Sequence, residues 1–150
     1  MTNLTAPEVL NDLIEVNNAR ITRYEAALTH LEPGDSELRF LFATIIGESH
    51  QNKIFLATEL QAMGEQIDLS PSRRGPIFKR YQDLLPPTNG SARNELLELS
   101  DNIEAAVLDA YQCARGSEDV ATYLKDILTE HEAQIDAFRH AIFVLRDQTA

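Results

Sequence analysis

The sequence predicts an all-α protein, a four-helix bundle with one long crossover, and three observations carry that prediction. Apolar residues recur at alternating steps of three and four along four segments, about residues 6–32, 36–63, 91–115 and 117–147. Short turns join the first and the last pair of helices into antiparallel hairpins, whereas residues 65–90 separate the two hairpins. The chain of 150 residues, of which 43% are hydrophobic, should form one domain with one core.

The first two helices have recognisable ends. Thr5 and Glu8 make a capping-box pattern, with Pro7 in the first turn. Residues 33–36 predict a turn, and Gly64 is typical of a helix C-terminus. The inward stripes should be Leu10, Ile14, Asn17, Ile21, Tyr24, Leu28 and Leu31 in the first helix, and Leu38, Phe42, Ile45, Ser49, Asn52, Leu56, Glu59 and Met63 in the second.

The crossover and the second hairpin follow from the same signals. Residues 65–90 are rich in proline, and residues 76–85 within them predict a short amphipathic helix. Ser91 should cap the third helix, Gly116 should end it, and residues 117–119 should begin the fourth with negative charge at its N-terminus. The inward stripes should be Leu96, Leu97, Ser100, Ile103, Glu104, Val107, Tyr111 and Ala114, then Val120, Leu124, Ile127, His131, Gln134, Phe138, Ala141 and Leu145.

Composition narrows the classes of partner and location. A net charge of −11 argues against nucleic acid or an anionic membrane as the main partner. The apolar runs are too short to span a membrane, and the N-terminus lacks the pattern of a signal peptide. Cys113 is the single cysteine, which rules out an internal disulfide and is typical of a reducing cytoplasm. We therefore expect a cytoplasmic protein, leave a homodimer open, and expect Cys113 to be an inert packing residue.

Each long helix carries a metal-capable residue near its middle: Glu25, Glu48, Glu104 and His131. With a rise of about 1.5 Å per residue, and with the crossover returning along the bundle, all four fall within a slab of roughly 10 Å. Buried polar groups are costly unless something pairs with them. The pattern therefore indicates a site for a divalent metal such as Fe, Mn or Zn, or the remnant of one.

Several motifs resemble one known superfamily. They are Leu10-Asn11-Asp12-Leu13-Ile14-Glu15, Asn17-Asn18, Tyr24-Glu25-Ala26-Ala27, Glu48, Glu59-Leu60 with Gly64, Glu104, Ala110-Tyr111 and His131. Together with the mid-chain crossover, they resemble the ferritin-like superfamily and, more narrowly, a bacterial group of ferritin-like four-helix-bundle proteins of unknown function. The resemblance covers nearly the whole chain and implies a fold, but no established activity.

The chain departs from the di-iron pattern that this superfamily implies. A di-iron site takes one Glu from each of two helices and a Glu-x-x-His from each of the other two. Glu25 and Glu104 match the single Glu positions, but Gln51 stands where the second helix needs His, and Leu128 where the fourth needs Glu. His50 lies on the wrong side of its helix to replace the missing ligand. The remaining residues could hold one divalent ion but poorly support a bridged di-metal centre.

Structural roles compete with metal binding for the same residues. Lys53 or an arginine such as Arg20 could neutralise the carboxylates, and His131 could be a core histidine that hydrogen-bonds Glu104 or Tyr24. The other polar stripe positions would form a hydrogen-bonded layer that fixes helix register: Asn17, Ser49, Asn52, Ser100 and Gln134. The positions expected to face solvent are His50, Asp136 and His140.

Three functional classes follow from these patterns. The first is a non-catalytic bundle with an incomplete metal site, which acts through its surface or as a dimer, for example under stress. The second is a mononuclear or weak divalent-metal-binding protein, and the third, least favoured, is a di-iron oxidase or ferroxidase. No catalytic or organic-cofactor residues are predicted. If the carboxylates converge without metal, Glu104→Gln should leave stability unchanged or raise it, because repulsion is relieved.

Overall fold

A computed structural model describes residues 4–86 and 90–149, and all regular secondary structure in that part of the chain is helical. The prediction of an all-α protein is therefore confirmed. The helices are α1 (Ala6–Leu28), α2 (Ser36–Ala62), α3 (Pro76–Leu84), α4 (Arg93–Arg115) and α5 (Thr122–Thr149), with a 3₁₀ turn at Pro71–Arg73. The predicted crossover includes residues 87–89, which lie outside the described residues.

The predicted ends of the first hairpin agree with the structure apart from the end of α1. The Thr5 hydroxyl accepts the amide of Glu8 at 3.3 Å, and the Glu8 carboxylate accepts the amide of Thr5, so the capping box is present. The helix ends at Leu28, four residues earlier than expected. Gly64 follows the C-cap of α2 with φ of 82°, the left-handed conformation that favours glycine at this position.

The second hairpin corrects two predicted boundaries. The N-cap of α4 is Ala92 and not Ser91, and its amide donates to the carboxylate of Glu95 at 3.2 Å. The fourth long helix begins at Thr122 and not at residue 117. The carboxylate of Asp119 instead accepts the amide of Ala6 at 2.5 Å, so its negative charge stabilises the N-terminus of α1.

Contacts between α1 and α4 show that these helices run antiparallel. Asn17 contacts Tyr111, whereas Tyr24, two turns further along α1, contacts Ser100, which lies earlier in α4. Within the first hairpin, Tyr24 packs on Phe42 with ring centroids 5.1 Å apart. Since α1 is antiparallel to both α2 and α4, the crossover must return along the length of the helices before α4 begins.

The opposite pair of helices, α2 and α5, is also antiparallel. The ring of Phe55 lies edge-on to His131 at 5.9 Å, and Glu59 accepts the hydroxyl of Tyr123 at 2.9 Å. The inner faces of the four long helices and of α3 enclose one core. Within residues 4–86 and 90–149, no helix combines the length and the apolar character that crossing a membrane requires.

The crossover is fastened to α1 by polar contacts. The predicted short helix is present as α3, and the buried carboxylate of Asp12 accepts the amides of Gly75 and Phe78 at 2.8 and 3.2 Å. Asp12 therefore caps the N-terminus of α3 from another helix, because α3 has no side-chain cap of its own. Asn11 exchanges two hydrogen bonds with the backbone of Asp68, which fixes the earlier part of the crossover.

Candidate functional site: a buried polar layer

An ion pair between α1 and α4 lies at the centre of the structure. Arg20 and Glu104 are both fully buried, and the guanidinium meets the carboxylate with two hydrogen bonds, one of them Nε to Oε2 at 3.0 Å. The hydroxyl of Tyr24 donates to the same Oε2 at 2.9 Å. The Arg20 guanidinium also lies 5.7 Å from the centre of the Phe138 ring on α5. Glu104 is thus held by a cation and a phenol.

Arg20 keeps its positive charge although it is removed from water. Burial lowers the pKa of the Arg20 guanidinium, but the adjacent Glu104 carboxylate raises it, and the net pKa lies above its usual value. Burial, reinforced by the Glu104 charge, raises the pKa of Tyr24 well above its usual value. Tyr24 therefore remains a neutral hydrogen-bond donor at physiological pH, and Arg20 remains a cation.

A second cluster joins α1, α4 and α5 around the hydroxyl of Tyr111. The side-chain amide of Asn17 donates to this hydroxyl at 2.9 Å and to the carbonyl of Leu13 at 2.9 Å. Nδ1 of His131 lies 3.1 Å from the same hydroxyl. The hydroxyl keeps its own proton while it accepts from Asn17, so it can donate to Nδ1 when the neutral imidazole carries its proton on Nε2.

The titration behaviour of this second cluster agrees with a neutral histidine. Burial, with a smaller contribution from the charge of Arg20, lowers the pKa of His131 to about 4. Burial raises the pKa of Tyr111 to about 12. Both side chains therefore stay uncharged near pH 7, and Arg20 and Glu104 are the charged pair of the layer.

The structure does not bring the four predicted metal ligands together. Glu25 follows Tyr24 directly, so it projects about 100° away from the inner face, and its side chain is exposed. Glu48 is half-buried, Glu104 is bound by Arg20, and His131 belongs to the Tyr111 cluster. Among residues 4–86 and 90–149, no three His, Cys, Asp or Glu side chains form a group that could hold a metal ion.

The polar atoms left over in the layer are also a poor match to a cation. Besides Glu104, the layer offers a guanidinium, a neutral imidazole and several amides. A divalent metal prefers carboxylate, thiolate and imidazole donors and is repelled by a guanidinium. Within the described part of the chain, the layer atoms without a hydrogen-bond partner are two donors and two acceptors: Arg20 Nη1, Asn52 Nδ2, Asn17 Oδ1 and Gln134 Oε1. The residues present do not fit a metal centre.

The alternative prediction, that these residues have structural roles instead of binding metal, is largely confirmed. Arg20, considered as a partner for the carboxylates, pairs with Glu104, whereas Lys53 donates to Asn18 at 3.3 Å. His131 is a core histidine, but its partner is Tyr111 and not Glu104 or Tyr24. The predicted polar layer is present: Asn17, Ser49, Asn52 and Ser100 are buried and Gln134 is half-buried, while His50, Asp136 and His140 are exposed.

Two side chains behave differently from their predicted roles. Tyr111 was expected only as a stripe position, yet its hydroxyl organises the second cluster. Cys113 was expected to be an inert packing residue, but it is exposed, with its sulfur 3.9 Å from the carboxylate of Asp109. The spacing of Arg20 in the sequence indicates that it is buried. It lies three residues after Asn17 and four before Tyr24, which places it on the inward stripe.

A surface pocket lies beside α1 and the start of α4, separate from the polar layer. Its lining includes Arg23 and His30 of α1 and Leu96 of α4. None of the residues in the ion pair or in the Tyr111 cluster lines this pocket.

Comparisons with protein-family models, with curated proteins and with solved structures returned no match to the chain.

Proposed function

We propose that the protein is a ferritin-like four-helix bundle held at its centre by an ion pair in place of a metal centre. It acts as a non-catalytic protein through its outer surface. The observation that carries this proposal is the engagement of Glu104 by Arg20 and Tyr24. The fixed guanidinium supplies the positive charge that a metal would otherwise bring to a buried carboxylate.

The connectivity supports the ferritin-like part of the proposal. Two antiparallel hairpins joined by one long crossover are the arrangement of ferritin-like bundles. The departures at Gln51 and Leu128 lie where a di-iron site would need His and Glu. The inner side of α2 at this level is Ser49 and Asn52, neither of which is a strong metal ligand.

Metal titration followed by thermal unfolding tests the proposal. Protein purified without chelator should carry no stoichiometric Fe, Mn or Zn. Its melting temperature should be the same in chelator and in added Mn²⁺, Fe²⁺ or Zn²⁺, because a bound ion would stabilise the native state in proportion to its occupancy. Addition of Fe²⁺ in air should give no rapid stoichiometric oxygen consumption.

Two variants make the outcome specific to the interior. Glu104→Gln changes the carboxylate at the centre, and Glu130→Gln changes an exposed carboxylate one residue before His131. The proposal would be overturned by a chelator-induced drop of several degrees that disappears in Glu104→Gln and persists in Glu130→Gln. That pattern would place a working metal site at the centre of the bundle.

A further inference from the structure

The outward face of α2 carries no Asp, Glu, Lys or Arg from position 40 to the end of the helix, although 25% of the chain's residues are charged. The charged residues in this stretch are Glu48, Lys53 and Glu59, and all three are half-buried on the flanks of the helix. The exposed residues are Phe40, Ala43, Thr44, Gly47, His50, Gln51, Ile54, Thr58, Gln61 and Ala62.

This uncharged face has the spacing of a helix-packing seam. Steps of four and three residues place a second seam opposite the buried stripe of α2, and such steps are typical of helices that pack along their length. Phe40 and Ile54, the two large hydrophobic side chains on this seam, are 75% and 62% exposed. The seam consists of Phe40, Thr44, Gly47, Gln51, Ile54, Thr58 and Gln61.

The polar groups on the seam are partly used within the helix. The hydroxyl of Thr44 donates to the carbonyl of Phe40 at 2.7 Å, and that of Thr58 donates to the carbonyl of Ile54 at 2.9 Å. Both hydroxyls thus have a partner already, which lowers the cost of covering them. On α5, by contrast, the exposed face is charged at Asp126, Glu130, Asp136, Arg146 and Asp147.

The seam is arranged symmetrically about Gly47. Phe40 lies seven residues before Gly47 and Ile54 seven residues after it, so each is two turns, roughly 10 Å, from the glycine. A Cβ placed on Gly47 would meet nothing within 4 Å, so the glycine is not required by packing inside the chain. A helix-interior glycine in such an open position costs about 1 kcal/mol relative to alanine.

We infer that the α2 seam is the interface of a homodimer, in which two copies cross antiparallel with a twofold axis near Gly47. A twofold axis there places Phe40 of each copy against Ile54 of the other, so the same patch is complementary to itself. The small Gly47 lets the two helix backbones approach closely at the axis. Because each copy has a net charge of −11, the uncharged seam is where two copies meet with least repulsion.

This inference rests on the proposal that the protein acts through its outer surface, but the two are tested separately. Metal titration tests the interior, whereas the oligomeric state tests the seam. The protein should sediment and elute at micromolar concentration with twice the chain mass of 16.8 kDa. Ile54→Glu introduces a charge twice into the symmetric interface and should raise the dissociation constant by about tenfold or more.

Matched controls separate the seam from other exposed hydrophobic positions. Phe143→Glu on α5 and Leu84→Glu on α3 replace side chains that are 64% and 45% exposed. Both should leave the dimer intact, and circular dichroism should show that all three variants remain helical. A monomeric wild-type protein, or a dimer that Phe143→Glu or Leu84→Glu disrupts as strongly as Ile54→Glu, would overturn the inference.

Cross-linking provides a test that does not depend on a disruptive variant. In a Cys113→Ser background, which removes the exposed thiol, Gly47→Cys should give a covalent dimer on mild oxidation. The two new sulfurs would lie on either side of the axis, where the Cα atoms can approach within disulfide range. Thr22→Cys, at an exposed position of α1, should give no covalent dimer under the same conditions. Equal cross-linking of both variants would refute the assigned interface.

Discussion

Removal of Arg20 should destabilise the protein by far more than removal of an arginine from a surface ion pair. In Arg20→Met the cation is lost, and the carboxylate of Glu104 remains fully buried with the hydroxyl of Tyr24 as its remaining partner. Breaking a buried pair by removing one partner costs about 3–5 kcal/mol, because the other charge stays desolvated. That loss is a large fraction of the total stability of about 5–15 kcal/mol expected for a domain.

The double variant Arg20→Met/Glu104→Leu should recover most of that loss. It replaces both charged groups with apolar side chains of similar volume, and such replacements are often neutral or stabilising. The hydroxyl of Tyr24 retains the carbonyl of Ser100, 3.4 Å away, as an alternative acceptor. The two single variants and the double variant form a double-mutant cycle, which should give a coupling energy of about 3 kcal/mol.

Urea unfolding followed by circular dichroism measures each free energy, with all proteins at the same concentration so that association does not bias the comparison. The matched control is Arg80→Met, because Arg80 makes the same two-pronged contact with Asp109 through Nε at 2.7 Å but is mostly exposed. Arg80→Met should lower the free energy of unfolding much less than Arg20→Met does. Equal losses for the two arginines would refute the desolvation argument and show that water reaches the Arg20 pair.

Two further predictions concern pH and the crossover. The folded pKa of His131 is about 4 against about 6.5 when unfolded, so the stability that its neutral form supports is present above pH 6.5 and lost as pH falls toward 4. The loss in the free energy of unfolding approaches about 3 kcal/mol. His131→Gln should flatten the pH dependence of unfolding between pH 6.5 and 4. His140→Gln, at an exposed position, should leave that dependence unchanged. Asp12→Ala should cost about 1–2 kcal/mol and speed amide exchange at Gly75, because the cap of α3 is lost. Asp83→Ala, at an exposed position of α3, should leave that exchange unchanged.

The structure also reverses the expected effect of Glu104→Gln on stability. Glu104→Gln was expected to be neutral or stabilising if several carboxylates converged without metal. Glu104 instead faces Arg20, and Glu25 points away from it into solvent. The substitution would leave a buried guanidinium without its counter-charge and should therefore destabilise the protein. An estimate of depth along the helices does not specify which way a side chain points.

Local signals in the sequence determined the helices and their order. The capping box at Thr5, the glycine at position 64 and the alternating apolar spacing act within one or two turns, so they are legible in the chain itself. The same is true of the length of the crossover, which determines that it can return along the bundle. The residues of the uncharged α2 seam likewise follow from their spacing in the sequence. Their exposure can be inferred only once the inner stripe of α2 is known.

The tertiary structure alone decided which polar residues meet. Arg20 and Glu104 are 84 residues apart, and their pairing depends on the rotation of α1 and α4 about their axes. A rotation by one residue, about 100°, distinguishes the exposed Glu25 from the buried Tyr24 beside it. Similarly, Asp119 caps α1 instead of beginning α5, because the end of another helix lies within reach. Such choices depend on long-range packing, which local periodicity does not encode.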